Sequence, residues 1–502
     1  MSRRIVAVCL TVAVVVATLA AGTSAGQTGP IRQETAVARD GGDVLVTVTY
    51  HLPDRVQTLT TRFPALNRGV SLVDSRGFRR VNDAEFEWTG EPRPRVRFRV
   101  PADDRRVVAG EDWAMAVRPD VAVNYSFRGD DPGFRSTYDV AGEGYAADPL
   151  AYLGAYRTST VSASGERTTF VVADAADDPA VDPARQFLRV APERFDLGVR
   201  RDQTTAFVLP DRASESRRRL AGATAENSFW VGPNGVETRR TDTAFSHEYV
   251  HTRLGVAGEG SAAWLTEGSA EYFGHAFALN AGAGDYEEFR RGVVAERYAS
   301  GDQAVTLADR STWRGTLADY EKGAHVLAAL DAEIRDRTDG EYTLADVFAA
   351  AAGEPFDDHL DFVRKVRGVT GERFGPWLDR YVRGDDLPPA PDDPTTFVYG
   401  ADLDPDADGE TSAAERRAGT NPFVANSATV TPTATFSPTP TPTATPSPSP
   451  SPSPVPTPTP TPAADGSTTP ETAPSTGLSS GFGVTSALAA LAALALVARR
   501  RD

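Results

Sequence analysis

His247-Glu248-Tyr249-Val250-His251, followed by Trp264-Leu265-Thr266-Glu267-Gly268-Ser269-Ala270-Glu271-Tyr272, is the stretch around which this 502-residue chain is organised. Residues four apart share one face of a helix, so His247 and His251 would turn two imidazole nitrogens toward one ion while Glu248 leans over the same site. A catalytic zinc takes three protein ligands and leaves its fourth position to water. Glu267 is the candidate third ligand, and Glu248 is left as the general base. The intervening turn holds Gly255, Gly258 and Gly260, and the Ala-rich run after it reads as a second helix packed back on the first. Glu271 lies one helical turn beyond Glu267, placed to orient a ligating histidine from behind.

The two motifs together resemble the gluzincin metallopeptidases, in particular the aminopeptidase N and glycyl aminopeptidase branches, which carry H-E-x-x-H and then W-L-x-E-G. Tyr320-Glu321-Lys322-Gly323-Ala324 is similar to the Y-x-K-G-A segment of those branches. Leu327-Ala328-Ala329-Leu330-Asp331, Arg335, Thr338-Asp339-Gly340 and Leu344-Ala345-Asp346-Val347-Phe348 continue the likeness, which spans 200–385. It implies a thermolysin-like catalytic domain, zinc as cofactor, a peptide or protein substrate, and a Tyr320 hydroxyl that stabilises the oxyanion of the tetrahedral intermediate. Two departures stand out. The spacing from His251 to Glu267 is shorter than in aminopeptidase N, which leaves endopeptidase and aminopeptidase action both open. Of the amine-binding G-x-M-E-N strand only Glu-Asn survives, in Ala223-Thr224-Ala225-Glu226-Asn227. Glu226 is therefore a candidate amine anchor, with a plain loop acid as the alternative.

Residues 1–25 carry Arg3 and Arg4, an apolar run and a small-residue end, the pattern of a secretory signal peptide. Cys9, the single cysteine, falls inside it, so the mature chain is expected to have neither thiol nor disulfide. Formal charge is -17, and Lys322 and Lys365 are the only lysines. Such an acidic surface repels phosphates and argues against a nucleic-acid partner. It suits high salt and points to a haloarchaeal source, although a GC-rich genome would also favour arginine over lysine.

The expected fold class is α+β and multidomain. From 33 to 190 short apolar or alternating runs such as Asp43 to Tyr50, Arg95 to Val100 and Thr168 to Val172, broken by Pro, Gly and Asp, predict an N-terminal β-sandwich. From 191 to 385 apolar residues recur at helical spacing, predicting a mainly helical catalytic domain. Within it His275 reads as a helix-surface residue and His325 has no assigned role.

Beyond this, Asp404, Asp406, Asp408, Glu410, Ser412 and Glu415 occupy positions 1, 3, 5, 7, 9 and 12 of an EF-hand-like loop, with Gly409 at the sharp bend. Calcium is the implied ion, and 398–423 reads as an isolated calcium repeat; a merely acidic linker is the alternative. Residues 427–475 are rich in Pro, Thr and Ser, which alternate from about Thr429 to Thr461, the composition of a disordered, extended stalk. The tail, 480–502, is a short apolar run closed by Arg499-Arg500-Arg501, which reads as a membrane segment with its arginines inside. It resembles the PGF-CTERM sorting signal of haloarchaeal surface proteins, which implies archaeosortase processing and a lipid anchor in an S-layer setting. The expected location is the outer face of the cell membrane. Two other functions fit the same features: a surface binding or structural protein with a peptidase-like fold, and a non-peptide zinc hydrolase.

Overall fold

The computed structural model describes residues 29–426 apart from 177–180, 196, 211–221, 237–240, 242–243, 299–304 and 314, together with 476–479. The expected signal peptide (1–25), the stalk (427–475) and the C-terminal sorting segment (480–502) lie outside the described residues. Among the described residues no helix is long and apolar enough to cross a membrane.

Alternation builds the N-terminal part. Strands β1 (Ile31–Asp40) and β2 (Asp43–His51) pair antiparallel, and in β2 every second residue, Val44, Val46, Val48 and Tyr50, is buried. The chain continues through β3 (Val56–Arg62), β4 (Ser71–Arg76), β5 (Phe78–Arg80), β6 (Glu85–Trp88) and β7 (Arg95–Val100). After these come β8 (Val107–Ala109), β9 (Ala114–Val117), β10 (Ala122–Phe127), β11 (Phe134–Val140), β12 (Gly144–Ala147) and β13 (Leu150–Leu153). One sheet has the order β11-β1-β2-β7-β4 and a second contains β10-β3-β6-β5, with Tyr50, Phe63, Phe86 and Phe98 in the core between them.

A third sheet, β12-β13-β9-β8, is a wall shared by two cores. Successive strand residues point to opposite faces. Ala114, Ala116, Ala151 and Leu153 thus join the N-terminal core, while Trp113, Met115, Leu150 and Tyr152 join the core of the second body.

The second body is not purely helical. Strands β14 (Tyr156–Ala163), β15 (Glu166–Ala173), β16 (Gln203–Val208), β17 (Gly222–Ala225) and β18 (Ser228–Val231) form a sheet ordered β14-β15-β16-β18-β17. Strands β15, β16 and β18 run parallel, and helix α1 (Asp182–Arg194) lies in the crossover from β15 to β16 that parallel pairing requires. This corrects the expected division of the chain: residues 156–173, read as part of a sandwich reaching 190, belong to the sheet beneath the metal motif.

Helices α2 (Ala244–Leu254) and α3 (Leu265–Asn280) pack on that sheet and on each other, and both are buried on nearly every face. They are followed by α4 (Tyr286–Val293), α5 (Ala318–Arg337), α6 (Leu344–Ala350), α7 (His359–Thr370) and α8 (Gly375–Leu378). A last short helix, α9 (Ser412–Ala418), closes the acidic loop. The region 398–423, expected as an isolated repeat, is instead docked: Phe397, Val398 and Phe423 share the core with Tyr286 and Phe289.

Two buried polar knots fix these parts. The fully buried Asp331 of α5 accepts from Tyr272 Oη of α3 (2.7 Å), Tyr399 Oη (2.9 Å) and the backbone N–H of Leu344 (2.6 Å). On α2, the Arg253 guanidinium donates to Glu166 at the start of β15 (2.5 Å), to Leu197 O (3.1 Å) and to Phe195 O (3.3 Å). Breaking such a buried pair strands a charge. Glu166→Ala is expected to lower unfolding free energy by about 3–5 kcal/mol, measured by denaturant unfolding beside the wild type; a loss near zero would mean that Arg253 does not need this partner.

Candidate metal centre

The close approach of three helices creates the site. Gly268 of α3 and Gly323 of α5 meet without side chains: a Cβ on Gly268 would stand 3.1 Å from the Gly323 backbone, and one on Gly323 3.0 Å from Gly268 Cα. A side chain at either position would press on the backbone of the other helix. Glu267 precedes the first glycine and Tyr320 lies one turn before the second, so the crossing brings both to the face of α2. The short connection between α2 and α3 is held against the start of α7, with Glu259 N–H donating to Phe356 O and His359 N–H to Ser261 Oγ.

His247, His251 and Glu267, all buried, place three ligand atoms within 4.8 Å of one another. The two Nε2 atoms are 3.1 Å apart, and Glu267 Oε2 is 3.5 Å from the first and 3.3 Å from the second. A tetrahedral ion with bonds of about 2.0–2.1 Å has ligand–ligand edges of roughly 3.3 Å. Glu267 Oε2 is buried without a hydrogen-bond partner, and so is Tyr320 Oη. An orphaned carboxylate oxygen facing two imidazole nitrogens at this spacing fits zinc.

Behind the ligands, His247 Nδ1 lies 3.0 Å from Glu271 Oε2, an arrangement that fixes the ring and leaves Nε2 for the metal. The other carboxylate oxygen of Glu271 lies 3.4 Å from His275 Nε2. His275 is therefore not a surface residue: its ring is buried beside the partly exposed Glu271. His325 is also buried, its Nδ1 accepting from Ala295 N–H and its Nε2 donating to Pro388 O, which makes it a tie between loops.

Glu248 is buried on the same helix as the histidines, and burial raises its carboxyl above the ordinary range despite the neighbouring rings. Thr224 Oγ1 on β17 sits 2.6 Å from Glu248 Oε2 and fixes that oxygen. Sequence reasoning missed this threonine because only the strand packed against α2 brings it there, although it lies within the stretch quoted for Glu226. Glu226 itself is exposed in the two-residue turn between β17 and β18, with φ 55, and its charge is felt by Asp148.

The Tyr320 ring lies parallel to His247, with centroids 5.7 Å apart and 9° between the planes. Burial and the charge of Glu267 hold its hydroxyl well above the ordinary tyrosine range, so it is a donor. In the same segment Lys322 is buried and gives its ammonium to Val305 O (2.7 Å) and Asp385 O (3.1 Å), and burial pushes it down to about 8.

Asp404, Asp406 and Asp408 also come together as possible ligands. Glu410 is exposed, and Ser412 gives its hydroxyl hydrogen to Leu403 O. Neither of these side chains, nor that of Glu415, lies within the ligand cluster formed by the three aspartates.

No family model and no curated protein matches the chain. Among solved structures it is similar to an aminopeptidase N family protein from Idiomarina loihiensis, with 13% identity, 71% of this chain and 76% of that chain covered, and TM-score 0.49. It is also similar to an M1 zinc metallopeptidase from Deinococcus radiodurans, with 14% identity, coverage of 73% and 97%, and TM-score 0.45. A second structure of that enzyme, bound to a Tyr-Ser-Ala substrate, gives 14% identity, coverage of 73% and 96%, and TM-score 0.44.

Loss of the carboxylate behind a ligating histidine typically weakens metal affinity about 10–100-fold. Glu271→Gln is expected to do so here while the fold is kept, read by zinc competition with a chromophoric chelator. Unchanged affinity would leave Glu271 as packing only.

Proposed function

We propose that the chain is a zinc-dependent metallopeptidase acting on extracellular peptides or proteins. The observation that carries this is the convergence of His247, His251 and Glu267 with Glu248 and Tyr320 at one buried site. His247, His251 and Glu267 would hold the zinc, which when bound supplies Lewis acidity to the scissile carbonyl and acidity to water. Glu248, oriented by Thr224, takes a proton from water as its oxygen bonds to the carbonyl carbon. The same carboxyl then gives that proton to the leaving nitrogen as the C–N bond breaks. Tyr320 donates to the carbonyl oxygen as negative charge grows there, where a pre-placed donor is worth most.

The signal peptide, stalk and tail support a reading in which this domain is held at the outer face of the cell membrane. The acidic surface supports a partner other than nucleic acid. Endopeptidase and aminopeptidase action both remain compatible with the site, with Glu226 the candidate amine anchor for the second.

Removing one oxyanion donor typically lowers turnover about 100–1,000-fold. Tyr320→Phe is expected to keep zinc and lose that much peptide cleavage, and Glu248→Gln to keep zinc with cleavage near background. Both are read as kcat on a quenched peptide library in high salt, beside zinc content. Full cleavage by Glu248→Gln would sink the mechanism; zinc binding without cleavage in the wild type would favour the surface-binding or non-peptide readings.

A further inference from the structure

We propose that the loop of Asp404, Asp406, Asp408 and Glu415 is a calcium site built into the wall of the peptidase body, where bound calcium secures the C-terminal end of α3. An acidic loop alone would not carry this. The deciding group is Glu415: it is fully buried, and its Oε2 has no hydrogen-bond partner. Its other oxygen accepts from Asn426 Nδ2 (3.1 Å), while the Asn426 backbone N–H donates to Asp408 Oδ2 (2.9 Å), so the buried carboxylate is clamped beside the aspartates. Asp406 Oδ2 is a second buried oxygen without a partner. Carboxylates crowded in this way repel each other unless a cation lies between them.

Loop shape agrees with the ion. Gly409, sixth in the loop, has φ 94, and the N–H groups of Asp408 and Gly409 both donate to the Asp404 carboxylate, folding the chain around the cluster. Hard oxygen donors in a pliable loop of this spacing select calcium over the smaller, strictly octahedral magnesium.

The loop is fastened to α3 at several points. Asn280, the last residue of α3, donates to Phe397 O (2.7 Å) and accepts from Tyr399 N–H (2.9 Å). Pro405 O lies against Gly282, where a Cβ would stand 2.8 Å away. Tyr399 Oη meets Tyr272 and Asp331, and on the far side Phe423 stacks on Tyr286. Drawing Asp404 and Glu415 onto one ion therefore ties both flanks of a segment that spans the end of the helix bearing Glu267 and Glu271.

The test uses the full chain dialysed into calcium-free buffer that retains zinc, with calcium chloride or magnesium chloride then added. Expected are one calcium per chain by calorimetry, a rise in Tm of about 5 °C at saturation, and slower amide exchange at 276–282 and 397–403. Magnesium at equal concentration is expected to give little of this. Asp406→Asn/Asp408→Asn should abolish the response, and Glu415→Gln, which alters the loop least, should weaken calcium binding at least tenfold. Absence of calcium binding, or an equal Tm shift in wild type and both variants, overturns the site. Binding with unchanged exchange in α3 overturns the coupling. None of these readouts depends on zinc chemistry or cleavage, so they stand apart from the peptidase reading.

Discussion

Backbone contact between Gly268 and Gly323 is the constraint on which the site depends. Two glycines let α3 and α5 approach until main chain meets main chain. Glu267 and Tyr320 inherit their positions from that contact, one beside the first glycine and the other a turn from the second. The same approach leaves their polar atoms in a space without other partners, which is costly in a folded protein unless a ligand completes it. A metal ion suits the Glu267 oxygen, and a hydrogen-bond acceptor suits the Tyr320 hydroxyl.

The molecule treats charge differently inside and out. The chain carries a formal charge of -17, and its exposed ion pairs contribute little to stability. Several buried charges, by contrast, are committed to partners: Arg253 to Glu166, Arg335 to Asp331, and the Lys322 ammonium to two backbone carbonyls. α2 and α3 are surrounded by these knots, so the histidines sit on helices that cannot easily slide.

What was legible in the sequence was local. Helix period relates His247 to His251 and Glu267 to Glu271, the glycine turn between the two runs implies that the second helix folds back on the first, and the structure brings His247, His251 and Glu267 together with Glu271 behind. Tyr320 was legible only through its resemblance to a known segment, since nothing in its own spacing reaches across to α2. Thr224 was hidden because strand-to-helix contact is non-local. His275 reads as a surface residue because helical spacing alone does not show that α3 is covered on nearly every face. β14 and β15 were assigned to the sandwich because alternation does not reveal which sheet a strand will join; only the α1 crossover and parallel pairing with β16 decide that. The region 398–423 reads as an isolated calcium repeat, and its docking stays hidden because Phe397, Tyr399 and Phe423 among Pro, Asp and Gly give no period to follow.

The sheet that faces two cores has a consequence for how the chain can be divided. Trp113, Met115, Leu150 and Tyr152 are contributed to the second body by strands that also close the first, and Phe397 and Phe423 are contributed from beyond its last helices. A fragment cut at either apparent border would leave a raw apolar surface on the piece that bears the histidines. The sandwich and the body that bears the histidines should melt as one cooperative unit, the first serving as part of the scaffold of the second more than as a detachable neighbour.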